Sequence, residues 1–193
     1  MSFKTERTYV MIKPDGVQKG LIGEIIKRFE QRDLKIVALE MFQPTHELID
    51  NHYPKDETWI TRLGHKTLAT YEKYNISPID ALGTEKPEEI GPMVRKWLLD
   101  YMTSAPLVKM VVEGAHAVDM VRKIAGPTMP YLAEMGTIRG DYSADSPAIA
   151  NTEKRSVMNI IHASETPTEA NHEIKHWFGE TAVHSYKRFG IDE

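Results

Sequence analysis

The chain has no cysteine, which closes off a disulfide framework, a thiolate metal site and a thiol nucleophile. It also lacks any apolar run near the roughly twenty residues of a membrane span, and its start, MSFKTERTYVMIKPDG, holds no apolar stretch of signal-peptide length. The expected address is the cytoplasm. There is no excess of positive charge: Lys and Arg number 24 against 28 Asp and Glu, a net charge of -4. Chains built to grip a nucleic-acid backbone are usually basic, so neither a nucleic acid nor a membrane is an expected partner. Finally, neither G-x-x-x-x-G-K-[ST] nor G-x-G-x-x-G occurs. A nucleotide would have to be held by side chains and not by a glycine-rich loop.

What is present suits a soluble globular domain, with 41% hydrophobic and 27% charged residues in 193. That length fits one domain, expected over 1–193, with an insertion at about 54–91. Arg7 to Ile12 alternates and is β-rich, ending at the turn cluster Lys13-Pro14-Asp15-Gly16. Leu21, Ile22, Ile25, Ile26 and Phe29 share one face of an amphipathic helix. Leu34 to Phe42, Pro106 to Glu113 and Val157 to Ile161 read as three further strands. A short helix marked by Val118, Val121 and Ile124 stops at Gly126-Pro127. The last helix begins with Thr166 and Glu169 as a capping box and Pro167 at its first position, and buries Ala170, Ile174, Trp177 and Phe178. The order β-α-β-β-α-β predicts an α+β, ferredoxin-like sandwich, an antiparallel four-stranded sheet with helices on it. Pro54 to Gly91 reads as an inserted helical excursion, and Gly126 to Arg155 as a long irregular loop carrying Arg139.

His162 sits between the apolar strand VMNII and the capped helix. A strand-to-helix junction exposes a side chain beside helix amides that favour anions. Neutral imidazole is a nucleophile, and a carboxylate on its other nitrogen fixes the tautomer and stabilises the charged adduct. A lone histidine is more often merely packed or solvated. Lys13, Arg122 and Arg139 are separately ordinary surface cations, and gain meaning only if the fold gathers them around His162 to hold a polyphosphate. The rival motif is His172-Glu173-Ile174-Lys175-His176, a literal H-E-x-x-H zinc pattern. Position 182 is Ala where the longer form needs His, and His172 and His176 lie off the apolar stripe, so an exposed helix face accounts for them. Arg139-Gly140-Asp141 is an adhesion-type tripeptide best explained by chance. Trp59, Tyr71, Tyr74, Trp97 and Tyr101 read as core.

Together ERTYVMIKPDGVQKGLIGEIIKRFEQR, GTIRGD and NIIHASE resemble the nucleoside diphosphate kinase family, in the right order and over Glu6 to Tyr53 and about Met93 to Phe178. The resemblance implies a ferredoxin-like fold and ping-pong transfer of a γ-phosphoryl group between nucleoside tri- and diphosphates through phosphorylated His162. Glu173 falls where the family places the orienting carboxylate, and Ser164 supports the histidine. Lys13 and Asn159 match positions near the sugar hydroxyls, Arg122, Thr128 and Arg139 those on the phosphates, and Tyr53 completes the nucleotide set. Mg2+ would arrive with the nucleotide, and the subunits would form a homo-oligomer, a hexamer or a tetramer built from dimers. Where the family reads H-G-S-D, this chain has His162-Ala163-Ser164-Glu165, with Glu165 placed to reach Arg139 or a metal-bound water. The base-stacking aromatic aligns to Val94, with Leu98 keeping the apolar wall. Two other functions stay open on the residues: a nucleotide-binding module without turnover, and a zinc hydrolase built on His172 and His176.

Overall fold

The computed structural model describes residues 5–179 and 182–189, so 1–4, 180–181 and 190–193 of the expected domain lie outside the described residues. Strands β1 (Glu6–Ile12), β2 (Lys35–Phe42), β3 (Leu107–Gly114) and β4 (Ile161–Ala163) form one antiparallel sheet in the order β2-β3-β1-β4. That is the ferredoxin-like arrangement. β1 is central, and its alternate residues enter different cores. Val10 and Ile12 pack with Ile25 and Phe29 of α2 (Ile22–Glu30) and with Val121 of α7 (Ala117–Ala125). Tyr9 and Met11 pack with Ile49 of α3 (His46–His52), Leu99 and Met102 of α6 (Pro87–Thr103), and Trp177 of α10 (Pro167–Phe178). Helices therefore cover both faces of β1. No helix among the described residues is long and apolar enough to cross a membrane.

Three local expectations need correction. The turn cluster after β1 opens a five-residue helix, α1 (Pro14–Gln18), because Pro14 at its first position presets the helical backbone. The strand expected over Val157 to Ile161 begins only at Ile161. Two carboxylates claim the amides that a ladder would use: Asp145 Oδ2 accepts from Met158 N at 2.7 Å and Asp15 Oδ2 from Ile160 N at 3.0 Å. Ile160 itself has φ 68°, and Ile161 N donates to Asn159 O across it at 2.7 Å, a strained tight turn for a β-branched residue. Gly126 to Arg155 is not irregular throughout, since it carries α8 (Ile138–Tyr142) and α9 (Pro147–Thr152), capped by Thr137 and Ser146. Helices of one or two turns are too short to show a period.

The insertion folds as α4 (Glu57–Lys73), capped by Asp56, and α5 (Pro78–Leu82), capped by Ser77. Residue 91, its expected end, lies inside α6. α4 lies directly on α6, and Tyr71, fully buried in the last turn of α4, donates to Asn151 O of α9 at 3.1 Å.

Candidate active site

Cross-strand partners share a face, and His162 pairs with Met11, so its side chain projects towards α10. There its Nε2 meets Glu173 Oε1 at 2.7 Å. The other carboxylate oxygen of Glu173 accepts from Ser164 Oγ at 2.6 Å. Glu173 and Ser164 are both buried. Burial raises the pKa of Glu173, but the bonds from His162 and Ser164 outweigh it and hold the carboxyl below its ordinary value. An ionised Glu173 can only accept, so Nε2 carries the imidazole proton and Nδ1 keeps a lone pair.

α10 is set against β4 by its own start. Thr166 Oγ1 accepts from Glu169 N at 3.1 Å, as the capping box requires. The reciprocal bond goes one residue further back, with Glu169 Oε2 accepting from Glu165 N at 2.6 Å, which pins the loop that follows His162.

On the other side of His162 lies a cavity of about 520 Å³ lined by Lys13, Arg122, Thr128, Arg139, Asn159 and Glu165, among others. Arg139 is almost fully buried and spends three N–H groups on the carbonyls of Asn159, Gly126 and Ile161. A guanidinium has five, so donors remain for a ligand. Lys13 Nζ donates to Asn159 Oδ1 at 2.7 Å, and Asn159 Nδ2 donates to Thr128 O at 3.1 Å. Burial, then the Arg139 charge, pushes Lys13 down to about 8, with Asp15 pulling the other way. Burial and the neighbouring Arg122 likewise lower Arg139. Among the described residues neither Lys13 nor Arg139 has an ion-pair partner within 4 Å, and Arg122 has only Glu165 at 3.8 Å. Desolvated cations that repel one another and lack carboxylate partners make a site for a polyanion.

Not every predicted residue reaches this cavity. Tyr53, Val94 and Leu98 line none of it. Tyr53 instead stacks on Trp59, with ring centroids 6.3 Å apart, and Leu98 packs beside the same core cluster as Tyr53. Glu165 points to Arg122 and not to Arg139, three of whose donors go to backbone carbonyls. Sequence reasoning passed over Asp15, which bridges Tyr101 OH at 2.6 Å and Ile160 N beneath the site. Its one signal was a charged residue next to an apolar strand end.

The H-E-x-x-H pattern comes apart in three dimensions. His172 and His176 are exposed, while Glu173 turns inward to His162. Among the described residues, the group able to close on a cation is His162, Glu169 and Glu173, with ligand atoms within 4.8 Å of one another. Neither motif histidine belongs to it. The adhesion-type tripeptide is likewise not displayed: Arg139 is buried, and Asp141 pairs with Arg28 at 2.7 Å.

A family model described as nucleoside diphosphate kinase matches residues 6–62 and 89–183, leaving 63–88 between its two stretches. A nucleoside diphosphate kinase of Pyrobaculum aerophilum is 49% identical over 178 residues, covering 92% of this chain and 97% of its own. That of Pyrococcus furiosus is 39% identical over 183 residues, covering 95% and 89%. Among solved structures, an NDP kinase from Pyrobaculum aerophilum superposes with a TM-score of 0.87 at 47% identity, covering 94% of this chain and 100% of that one. A transition state mimic of nucleoside-diphosphate kinase from Borrelia burgdorferi, with bound vanadate and ADP, gives 0.76 at 32% identity, covering 97% and 95%.

Proposed function

The chain belongs to the nucleoside diphosphate kinase family, and from that premise we propose that Nδ1 of His162 is the atom that carries the phosphoryl group. The enzyme transfers the γ-phosphoryl group of a nucleoside triphosphate to a nucleoside diphosphate by a ping-pong route. In the proposed first half, the Nδ1 lone pair attacks the γ-phosphorus, an N–P bond forms, and the bond to the β-bridging oxygen breaks as the diphosphate leaves. In the second half, a terminal oxygen of another diphosphate attacks the same phosphorus and frees the imidazole. The Nε2 proton stays in place throughout, and Glu173, supported by Ser164, balances the positive charge the ring gains.

The observation that carries this reading is the His162–Glu173 bond of 2.7 Å at the edge of a cavity walled by Lys13, Arg122 and Arg139. Arg122 and Arg139, with Thr128, hold the phosphates, and with the Lys13 charge on the same cavity wall they stabilise the charge that spreads over the transferring group. Lys13 and Asn159, already bonded to each other, serve the sugar hydroxyls. Tyr53, Val94 and Leu98 are assigned to the rest of the nucleotide on the resemblance alone, since they do not line this cavity.

Mg2+ fits as a passenger on the nucleotide. It prefers oxygen ligands, usually phosphates, waters and one or two carboxylates. The cluster of His162, Glu169 and Glu173 includes a nitrogen and uses Glu173 on the imidazole, whereas Glu165, 70% exposed and only loosely held by Arg122, is free to accept from a metal-bound water. Bound there, Mg2+ would neutralise and orient the β- and γ-phosphates. We assign the protein to the cytoplasm and to a homo-oligomer, a hexamer or a tetramer built from dimers. The assembly is supported by Leu39 and Met41, 52% and 56% exposed on edge strand β2, since apolar side chains on an open sheet edge invite a partner.

Incubation with γ-labelled ATP tests the central assignment. The protein is expected to take up an acid-labile, alkali-stable label that GDP removes, and His162→Ala to take up none. Label retained in that variant overturns the assignment.

A further inference from the structure

The bond to Glu173 fixes one atom of the His162 ring but not its plane. The torsion that rotates an imidazole about its Cβ–Cγ bond is broad, and a ring held at Nε2 alone can still tilt. The Nδ1 lone pair lies in the ring plane, so tilting swings it away from the line of attack on phosphorus. Positioning of that kind matters to the rate, and a shift of about 1 Å can cost on the order of a hundredfold.

Two rings limit the tilt. Tyr9, fully buried in β1, lies 5.9 Å from the His162 ring at an interplanar angle of 53°. His52, the last residue of α3, stands 6.2 Å away at 88°, an edge-to-face contact. His52 is in turn wedged by Trp177 at 5.1 Å, Tyr53 at 4.9 Å and His176 at 6.0 Å. It is therefore a held ring and not a loose surface histidine. Burial, then the facing His162, pushes its pKa down to about 4, against a pull the other way from Glu173. At neutral pH it adds no positive charge beside a ring that must itself become positive.

We propose that His52 is a positioning residue for phosphoryl transfer: its ring, set nearly perpendicular to that of His162, holds the imidazole plane in which Nδ1 faces the phosphate cavity. The proposal rests on the assignment of His162 as the phosphorylated residue. Nothing in it requires His52 to touch the nucleotide or exchange a proton, so a neutral aromatic ring of similar size can replace it.

The test is single-turnover labelling of His162 from ATP, with KM for the nucleotide, ADP affinity and melting temperature measured in parallel. His52→Ala is expected to slow labelling by about 10- to 100-fold, with KM and ADP affinity within about twofold of the unaltered enzyme. His52→Phe is expected to restore the rate to within about threefold. Should the alanine variant fail to fold, His52→Leu, which fills the space without an aromatic edge, carries the same expected loss. An unchanged rate in His52→Ala or His52→Leu overturns the proposal, as does a phenylalanine variant that folds yet is as slow as they are, or a loss confined to KM. The unaltered enzyme failing to label at His162 would instead sink the assignment on which the proposal rests, so the two failures are distinct.

Discussion

Ser164 Oγ donates to Glu173 Oε2 at 2.6 Å, so the carboxylate that accepts from His162 is gripped from its far side as well. A partner bound in this way orients the group that performs the chemistry, and losing such a partner often costs about 10- to 100-fold. Glu173→Gln keeps the shape but removes the charge that balances the phosphorylated ring. The rate of His162 labelling in a single turnover is expected to fall by about 10- to 100-fold, with KM for the nucleotide little changed. Ser164→Ala should cost less, and adding it to Glu173→Gln should cost almost nothing more, because both act through one carboxylate. Full additivity of the two losses would mean that Ser164 works by another route.

Lys13 gives the cavity a pH dependence whose sign can be worked out. Burial and Arg139 hold the ammonium at about 8 in the free protein. A bound polyphosphate favours the charged form and raises that value, so binding takes up a proton once the free lysine has lost its own. ADP affinity should therefore stay level below about pH 8 and weaken as pH rises beyond it, by up to about tenfold per pH unit. Titration calorimetry in buffers of different ionisation enthalpy reads both the affinity and the proton uptake. Lys13→Gln should bind more weakly at neutral pH and lose the decline above pH 8. If the unaltered protein binds ADP equally well at pH 7.5 and 9.5, Lys13 does not face the phosphates.

The sheet was legible because its strands are strongly apolar and its helices long enough to show a period, as in α2 and α10. β4 was misplaced because the amides of Met158 and Ile160 bond to carboxylates at Asp145 and Asp15, far away in sequence. No local pattern reveals such a bond. The site was legible for a different reason. His162, Arg139 and Lys13 say little alone, and it was the resemblance of whole segments that grouped them. Glu173 shows the limit of a short motif: its spacing suits a zinc helix, yet the burial of its own face turns it to His162 while both motif histidines stay in water. His52 gave no advance notice and Asp15 only a charge beside an apolar strand end, since each acts on residues that only the fold brings near.

The insertion is seated closely on α6, because two glycines let the helix backbones touch. A Cβ on Gly64 of α4 would lie 2.1 Å from Pro87 O, and one on Gly91 of α6 would lie 2.2 Å from Ile60 O. Both obstacles are backbone and cannot rotate away, so either side chain would force the two helices apart. Alanine in a helix interior gains roughly 0.5–1 kcal/mol over glycine, but overpacking of a close contact costs about 1–3 kcal/mol and sometimes more. The clash should win. Gly64→Ala and Gly91→Ala are each expected to lower the melting temperature by several degrees, at about 2–4 °C per kcal/mol for a chain of this size. Neither residue lines the phosphate cavity, so His162 labelling well below the transition should be nearly unchanged in Gly64→Ala. Calorimetry that finds either variant as stable as the parent would show that α4 can separate from α6, and would reopen the possibility that the insertion moves.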